Sequence, residues 1–202
     1  IEEGTYGEVF KALHAPTNKF FALKKFKQQT LWTNEGLSTT FLREIAILHS
    51  LNHTNIIACK SIIEDVDIYN LVMELVENSL NKMIIQNSAK VISKIIMTQL
   101  LSAVEHLHFN KIIHRDIKPS NILCTLDGVI KLIDFGLARK TSDCENIQYS
   151  QNVVTLAYRA PELLIEKGFY GTELDIWAVG CVMAEIEIGS SLFKAHQEIE
   201  LL

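Results

Sequence analysis

Apolar residues follow two different spacings along this 202-residue chain. In the first third, EVFKAL and FFALKKFK are short, rich in β-branched or aromatic residues, and separated by HAPTNK, whose Pro and Asn favour a turn. They are therefore predicted to be strands, as is IYNLVMELV. STTFLREIAILHSL instead places apolar residues three and four positions apart, which predicts a helix with Ser38, Thr39 or Thr40 as its N-cap.

The rest of the chain is predicted to be mainly helical. Residues 88–109 carry the apolar stripe Ile92, Ile96, Leu100, Ala103 and Leu107, and ELDIWAVGCVMAEIEIG is apolar nearly all round, which is typical of a buried helix. IIHRDIKPSNIL is predicted to be a loop between buried strands, GVIKLIDFG a short strand, and residues 138–153 a mobile loop. Because strands come first and helices follow, we expect two lobes rather than alternating βαβ units.

Composition excludes some functions without choosing among the others. With 48% apolar and 21% charged residues the chain can form a packed core. Its net charge of -5 disfavours general binding to nucleic-acid backbones. The four cysteines form no CxxC pair, which disfavours a disulfide framework and favours a reducing compartment. No apolar run approaches the ~20 residues of a membrane span.

The first candidate chemistry lies in EEGTYGEV and FALKK. Gly4 and Gly7 would let backbone amides approach a phosphate, although glycines at this spacing are also common in hairpin turns. Lys24 follows the apolar residues Ala22 and Leu23 on its strand, so it is either a surface lysine or a ligand for an anion. Glu44, on the predicted helix, is placed to pair with Lys24 and keep it charged.

HRDIKPSN is more informative. In an extended loop, Asp116, Lys118 and Asn121 can face one pocket as a proton acceptor, a cation for phosphate and an amide ligand for a hard cation. Asp134 precedes a flexible glycine in DFG, which would let its carboxylate turn towards a metal ion. Asp and Asn oxygens, with water and phosphate, suit Mg²⁺.

Five motifs in this order, GTYG, FALKK, HRDIKPSN, DFGLAR and YRAPE, resemble those of the eukaryotic protein kinases. STTFLRE resembles the PSTAIRE helix of the cyclin-dependent kinases, and VVTLAYRAPELL resembles their VVTLWYRAPE. The resemblance implies an α+β, two-lobed fold with a small antiparallel β-sheet lobe containing one helix, and a larger, mainly helical lobe. One catalytic domain would span 1–202, with the small lobe at 1–74 and the large lobe at 75–202, truncated at both ends and without its last helices.

The same resemblance implies ATP and Mg²⁺ as cofactors and assigns a role to each matching position. Lys24 would hold the α- and β-phosphates and be oriented by Glu44, while Glu74 C=O and Val76 N–H would bind adenine beside the gatekeeper Met73. The implied catalytic residues are Asp116, Lys118 and Thr155; the implied metal ligands are Asn121 and Asp134. The implied cofactor-binding residues are Glu2, Gly4, Gly7, Val9, Ala22, Lys24, Glu44, Met73, Glu74, Val76 and Leu123.

Regulation and partners are also implied by the resemblance. Ser150 matches the activating phosphorylation site of the family, with Arg43, Arg115 and Arg139 as its phosphate clamp. The helix at 38–44 would bind a cyclin-like subunit, and Thr5 and Tyr6 match inhibitory phosphorylation sites. Val153, Val154 and Arg159 match the pocket that favours protein substrates with Ser/Thr-Pro sites. We expect a cytoplasmic or nuclear protein.

Several positions depart from the family pattern. Glu2 replaces the first glycine of the Gly-rich loop, Ala157 replaces a tryptophan, and Ser79 replaces an aspartate near the ribose. The family partner of Glu162 would lie beyond Leu202. Glu2, Ala157 and the truncation favour the alternative of a catalytically weak pseudokinase that acts as a binding scaffold. The complete set of Lys24, Asp116, Asn121 and Asp134 favours an active Ser/Thr kinase.

Overall fold

The structure is a computed structural model, and it describes residues 2–3, 7–26, 32–33, 36–65, 68–141, 155–165 and 170–194. Six residues with roles predicted from the sequence lie outside these ranges: Gly4, Thr5, Tyr6, Ser150, Val153 and Val154.

An antiparallel sheet forms the first part of the fold. Its strands are β1 (Glu2–Glu3), β2 (Gly7–His14), β3 (Lys19–Phe26), β6 (Cys59–Asp65) and β7 (Ile68–Glu74), in the spatial order β1-β2-β3-β7-β6. Two further short strands, β4 (Trp32–Thr33) and β5 (Gly36–Leu37), form a two-stranded sheet with each other. The predicted strands are confirmed, whereas β6 was not predicted, because CKSIIED shows no clear alternation of apolar and polar residues.

One helix packs on this sheet, α1 (Thr39–Ser50). It begins as predicted, with the hydroxyl of Ser38 accepting a hydrogen bond from the Thr40 N–H at 3.3 Å. Its buried face includes Phe41, which meets the ring of Phe26 edge-to-face at 4.7 Å between centroids. The apolar spacing of α1 therefore anchors it to β3, and Glu44 is buried on the same face.

The second part of the fold is mainly helical. Its helices are α2 (Leu80–Ile85), α3 (Ser93–Phe109), α4 (Glu162–Ile165) and α5 (Glu173–Ile188). Its short strands are β8 (Asn78–Ser79), β9 (Ile112–Ile113), β10 (Ile122–Cys124), β11 (Ile130–Leu132) and β12 (Arg139–Lys140). They form a three-stranded sheet, β11-β10-β8, and a β12-β9 pair. This is the two-lobed α+β architecture expected from the sequence.

Helix α3 confirms the predicted apolar stripe but begins later than predicted. Ile96, Leu100, Ala103 and Leu107 are fully buried. The N–H groups of residues 88 and 89 donate to the carbonyl of Met83, so these residues close the end of α2. A 3-10 turn, Lys90–Ile92, then leads into α3. Residues 88–92 therefore do not belong to α3.

Two other predictions need correction. Helix α5 was predicted to be buried all round, but it buries only one face, and Ile176, Met183 and Ile188 are 50%, 53% and 59% exposed. No other described residue covers that second face enough to bury these three side chains. Residues 138–153 were predicted to form a loop, yet Arg139–Lys140 form β12 by pairing with β9; residues 142–153 lie outside the described ranges.

A single cluster of buried apolar residues runs through both parts of the fold. It contains Phe26, Phe41 and Leu71 from the sheet, and Leu100 and Val182 from the helical part. The predicted burial of Cys124 and Cys181 is confirmed. Within the described ranges, no helix combines the length and the apolar character required to cross a membrane.

Candidate active site

Lys24 and Glu44 form a buried ion pair between β3 and α1. The Lys24 Nζ lies 2.6 Å from Glu44 Oε1, and the two residues are 9% and 2% exposed. Burial by itself would lower the pKa of Lys24, but the attraction of Glu44 and Asp134 outweighs burial and raises the pKa above its ordinary value. Lys24 is thus a fixed, charged ammonium rather than a surface lysine.

Asp134 approaches the same ammonium from the helical part of the fold. Its Oδ1 lies 3.0 Å from Lys24 Nζ, and its backbone has a left-handed φ of 63°. Burial alone would raise the pKa of Asp134, but Lys24 more than offsets burial and holds the pKa below its ordinary value. Asp134 is therefore an ionised carboxylate, with a side chain that is 34% exposed.

Asp116, Lys118 and Thr155 meet as predicted. Lys118 Nζ lies 2.8 Å from Asp116 Oδ2 and donates to the Thr155 hydroxyl at 3.0 Å. The Thr155 hydroxyl in turn contacts Asp116 Oδ1 at 3.5 Å. A carboxylate, an ammonium and a hydroxyl thus converge from two segments that are distant along the chain.

Asn121 joins this group to Asp134. Its Nδ2 donates to the backbone carbonyl of Asp116 at 2.8 Å and to Asp116 Oδ2 at 2.9 Å. Its own backbone carbonyl accepts from the N–H of Ile133 at 2.9 Å, one residue before Asp134. Since Nδ2 faces Asp116, the amide oxygen Oδ1 is the atom that Asn121 offers as a ligand. Asn121 is therefore bonded directly to Asp116 and is linked to Asp134 through the backbone of the preceding residue.

The donor set suits Mg²⁺ bound together with phosphate. In the described part of the chain, no three His, Cys, Asp or Glu side chains converge to hold a metal by themselves. Mg²⁺ does not require this, because it keeps several waters and is usually held by one or two carboxylates plus substrate phosphates. The oxygens of Asp134 and Asn121 fit that requirement.

The loop before Asp116 is held by Asp175, a residue that the sequence did not single out. Asp175 is 1% exposed and accepts hydrogen bonds from the N–H groups of His114 and Arg115, each at 2.9 Å. His108 contacts the same carboxylate at 2.9 Å. Buried acidic residues are rare, and an aspartate inside the apolar run of α5 was the signal available in the sequence.

His114 is structural, as predicted. It is fully buried, its Nδ1 accepts from the N–H of Asp116 at 3.3 Å, and its Nε2 donates to the carbonyl of Ile133 at 3.0 Å. Its ring also meets Phe135 edge-to-face. Both ring nitrogens are therefore hydrogen-bonded to backbone groups, which fits a structural role.

The predicted nucleotide-binding positions lie on adjacent strands. Val9 is paired with Lys24, and Ala22 with Met73, across neighbouring strands of the first sheet. Leu123 lies in β10, Glu74 ends β7, and Val76 follows it. The backbones of Glu2 and Gly7 lie in β1 and β2, but the Glu2 side chain is outside the described part of the structure.

Ser79 has a structural role in addition to its position near the predicted nucleotide site. Its hydroxyl accepts from the N–H of Lys82 at 3.4 Å and so caps α2. Its strand β8 pairs with β10 so that Ser79 lies opposite Leu123.

Two of the three predicted clamp arginines each have a buried nitrogen with no hydrogen-bond partner among the described residues. Arg43 Nη1 and Arg139 Nη1 are inaccessible to solvent and form no hydrogen bond with the described residues. A buried N–H without an acceptor is costly, and a phosphate group supplies several acceptor oxygens. Arg115, the third, donates from Nε to the carbonyl of Leu137 at 2.7 Å and from Nη1 to the Tyr170 hydroxyl at 2.6 Å.

Comparison with known proteins agrees with this geometry. Residues 1–201 match the family model of the protein kinase domain. The chain belongs to the protein kinase family. Protein kinase domains in general use ATP and a divalent metal ion, in keeping with a site made of Lys24, Asp116, Asn121 and Asp134.

Three curated relatives indicate the part of the protein kinase family to which the chain is similar. CTD kinase subunit alpha of Saccharomyces cerevisiae is 39% identical over 204 residues, which cover 99% of this chain and 38% of that protein. A probable cell division protein kinase of Encephalitozoon cuniculi is 42% identical over 198 residues, 98% of this chain and 73% of the relative. Cyclin-dependent kinase 2 of Caenorhabditis elegans is 40% identical over 208 residues, 100% of this chain and 56% of the relative.

These similarities confirm the predicted place of the kinase domain in the cyclin-dependent kinase family. The chain spans 38% of the length of the first of these relatives and about half that of the C. elegans protein.

Proposed function

We propose that this protein transfers the γ-phosphoryl group of ATP to serine or threonine hydroxyls of protein substrates. The single observation that supports this most strongly is a network of two charged groups, Glu44–Lys24–Asp134 and Asn121–Asp116. The two groups are linked through the backbone, since the Ile133 N–H, one residue before Asp134, donates to the Asn121 carbonyl. Phosphoryl transfer depends mainly on positioning and charge neutralisation, and this network supplies fixed charges of both signs.

Asp116 is the proposed proton acceptor. Its Oδ2 is occupied by Lys118 and Asn121, whereas its Oδ1 has only the longer contact with Thr155 among the described residues. Oδ1 is therefore the oxygen placed to accept the proton of the substrate hydroxyl. The hydroxyl oxygen then bonds to the γ-phosphorus while the bond from that phosphorus to the β–γ bridging oxygen breaks, and ADP leaves.

The remaining residues of the network hold charge in place. Lys24 would bind the α- and β-phosphates, and Glu44 would keep its ammonium oriented. Lys118 would lie beside the transferred group, held there by Thr155. Asn121 Oδ1 and Asp134 would hold Mg²⁺, which supplies positive charge to the phosphate oxygens.

Partners and regulation are proposed by analogy with the family. Protein substrates with Ser/Thr-Pro sites fit the family membership. A cyclin-like subunit bound at residues 38–44, where α1 begins, fits it as well. The buried Nη1 atoms of Arg43 and Arg139, which have no partner in the described part of the chain, support an activating phosphate on Ser150. A phosphate there would satisfy these atoms and so favour the active arrangement of α1, which carries both Arg43 and Glu44.

The test is phosphate transfer by the full-length protein with its cyclin partner. We expect Asp116→Asn to lower kcat at least about a hundredfold, because the amide cannot accept a proton. Asp127→Asn is the matched control, since Asp127 lies in an exposed turn. Transfer that is undetectable in the wild type, or equal in Asp116→Asn, would favour the pseudokinase alternative.

A further inference from the structure

The carboxylate of Glu74 binds one group from each part of the fold. Its Oε1 accepts from the N–H of Ala58 at 2.9 Å and lies 3.0 Å from the Nζ of Lys131 in β11. The Lys131 and Glu74 side chains are 13% and 27% exposed, so this ion pair is largely removed from water. The pair joins the end of the β-sheet to the strand that leads towards Asp134.

Lys131 also borders the proposed nucleotide site. In the β10–β11 ladder it lies directly opposite Leu123, and cross-strand partners share a face of the sheet. Ile122, Cys124, Ile130 and Leu132 point into the core, whereas Leu123 and Lys131 lie on the less buried face. Lys131 therefore connects Leu123, a proposed contact of the nucleotide, to Glu74, whose backbone is proposed to bind the base.

The contacts of Glu74 fix the backbone at the end of β7. Its N–H donates to the carbonyl of Ala58 at 3.3 Å, while its side chain accepts from the N–H of the same residue. Without Lys131, the carboxylate keeps a single donor among the described residues and gains freedom to rotate. The backbone at 74–76 would then visit orientations that do not bind a nucleotide, which lowers apparent affinity in proportion to the competent fraction.

We propose that Lys131 is a positioning residue: through Glu74 it holds the backbone of residues 74–76 in the orientation that binds the nucleotide base. This rests on the proposed function. The role is distinct from catalysis, because Lys131 acts on binding through another residue.

The test measures ADP binding by calorimetry, and KM for ATP and kcat, in the full-length protein. We expect Lys131→Met to weaken ADP binding about three- to tenfold and to raise KM with kcat changed less than about twofold. Glu74→Gln should weaken ADP binding to a similar extent, and the double variant no further than either single one. Lys131→Arg, which keeps the positive charge, should bind ADP as tightly as the wild type. Lys94→Met, at an exposed lysine of α3, should not alter ADP binding either.

Each result decides between positioning and a merely structural role. An unchanged Kd for ADP in Lys131→Met, or additive losses in the double variant, would overturn the role of Lys131 while leaving the proposed kinase function intact. Failure of the wild-type protein to bind ADP at all would overturn both the proposed function and this inference.

Discussion

Arg115 and Asp134, on either side of the site, have φ values of 67° and 63°, a left-handed region that L-residues rarely adopt. Such backbones cost on the order of 1–3 kcal/mol and persist only when the surroundings hold them. Asp175 holds Arg115 through its N–H, and Lys24 holds Asp134 through its carboxylate. The strain is therefore offset by charged hydrogen bonds at the same residues that form the site.

Glu44 provides the clearest prediction at the residue scale. Glu44→Gln keeps the shape of the side chain but removes the charge that faces the Lys24 ammonium, while Asp134 stays in contact. We expect the free energy of unfolding to fall by about 1.5–3 kcal/mol, the range for hydrogen bonds to charged groups. The kcat/KM for ATP should fall at least about tenfold, because Lys24 loses its orientation.

Urea unfolding and steady-state kinetics measure both effects. Glu105→Gln, at an exposed position of α3, is the control and should change neither quantity. If Glu44→Gln matched that control in kinetics, the ion pair would not orient a phosphate ligand.

Residue pairs differ in how far the sequence could predict them. The contact between Lys24 and Glu44 was predicted because each lies in a motif with a known spacing. The Glu74–Lys131 pair was not, because Lys131 lies in a strand with no motif of its own and meets Glu74 only after both parts of the fold are in place. Local patterns carry no signal for such a contact.

Helix α3 allows a prediction at the element scale from two neighbouring leucines. Leu100 is fully buried, whereas Leu101, about 100° further round the helix, is 46% exposed. Leu100→Ala should lower the free energy of unfolding by about 2–5 kcal/mol, because it removes apolar contacts and leaves a cavity. Leu101→Ala should cost less than about 0.5 kcal/mol. Urea unfolding of the two variants compares them directly, and equal losses would contradict the described orientation of α3.

The segment after α1 is tied to both α3 and β11. The Asn55 side chain donates to Gln99 Oε1 at 2.7 Å and to the carbonyl of Ile130 at 3.1 Å. Its own N–H donates to His53 Nδ1 at 3.1 Å, and His53 Nε2 meets the Ser102 hydroxyl at 3.2 Å. His53 must therefore be neutral, with its proton on Nε2, to keep the first of these two contacts.

The same segment predicts a loss of stability in acid. Burial, the stacked His106 ring 4.9 Å away and the Lys131 charge all lower the pKa of His53. A histidine with a lowered pKa in the folded state binds its proton more readily when unfolded, so stability falls as pH drops below about 6.5. We expect a smaller free energy of unfolding at pH 5.5 than at pH 7.5.

Comparison with His53→Asn isolates this effect, since asparagine can still accept from the N–H of Asn55 but does not titrate. The loss between pH 7.5 and pH 5.5 should be smaller in His53→Asn than in the wild type. His49→Asn, at an exposed histidine of α1, should retain the full loss. Equal pH dependence in all three proteins would mean that His53 contributes nothing.

Elements with a strong period were predicted best. The apolar stripes of α1 and α3 predicted which face of each helix is buried. The start of α3 was placed too early because the N–H groups of Ser88 and Ala89 donate to the carbonyl of Met83 instead. Helix α2 was not predicted, because six residues are too few to show a period. For α5, composition indicated burial, but which face the fold covers depends on packing that no local pattern encodes.

At the scale of the whole molecule, the site is also a junction between the two parts of the fold. Lys24 belongs to the sheet, Asp134 and Asn121 to the helical part, and the isolated bridge of Ile56 with Leu132 adds a backbone link. A ligand that binds Lys24 together with Asp134 and Asn121 should therefore stabilise both parts at once. A ligand that contacts one part alone would leave the junction unchanged.

This junction predicts a thermal shift that requires metal. ADP with Mg²⁺ at a hundred times its Kd should add about 2.7 kcal/mol of stability, which for a domain of this size raises Tm by roughly 5–10 °C. With EDTA the shift should shrink, because the phosphates would then face the Asp134 carboxylate without a neutralising cation. Asp134→Asn should lose the dependence on metal, and Asp127→Asn should retain it. A shift of equal size with and without Mg²⁺ in the wild type would mean that Asp134 and Asn121 do not hold the cation, and the proposed mechanism would need another source of positive charge.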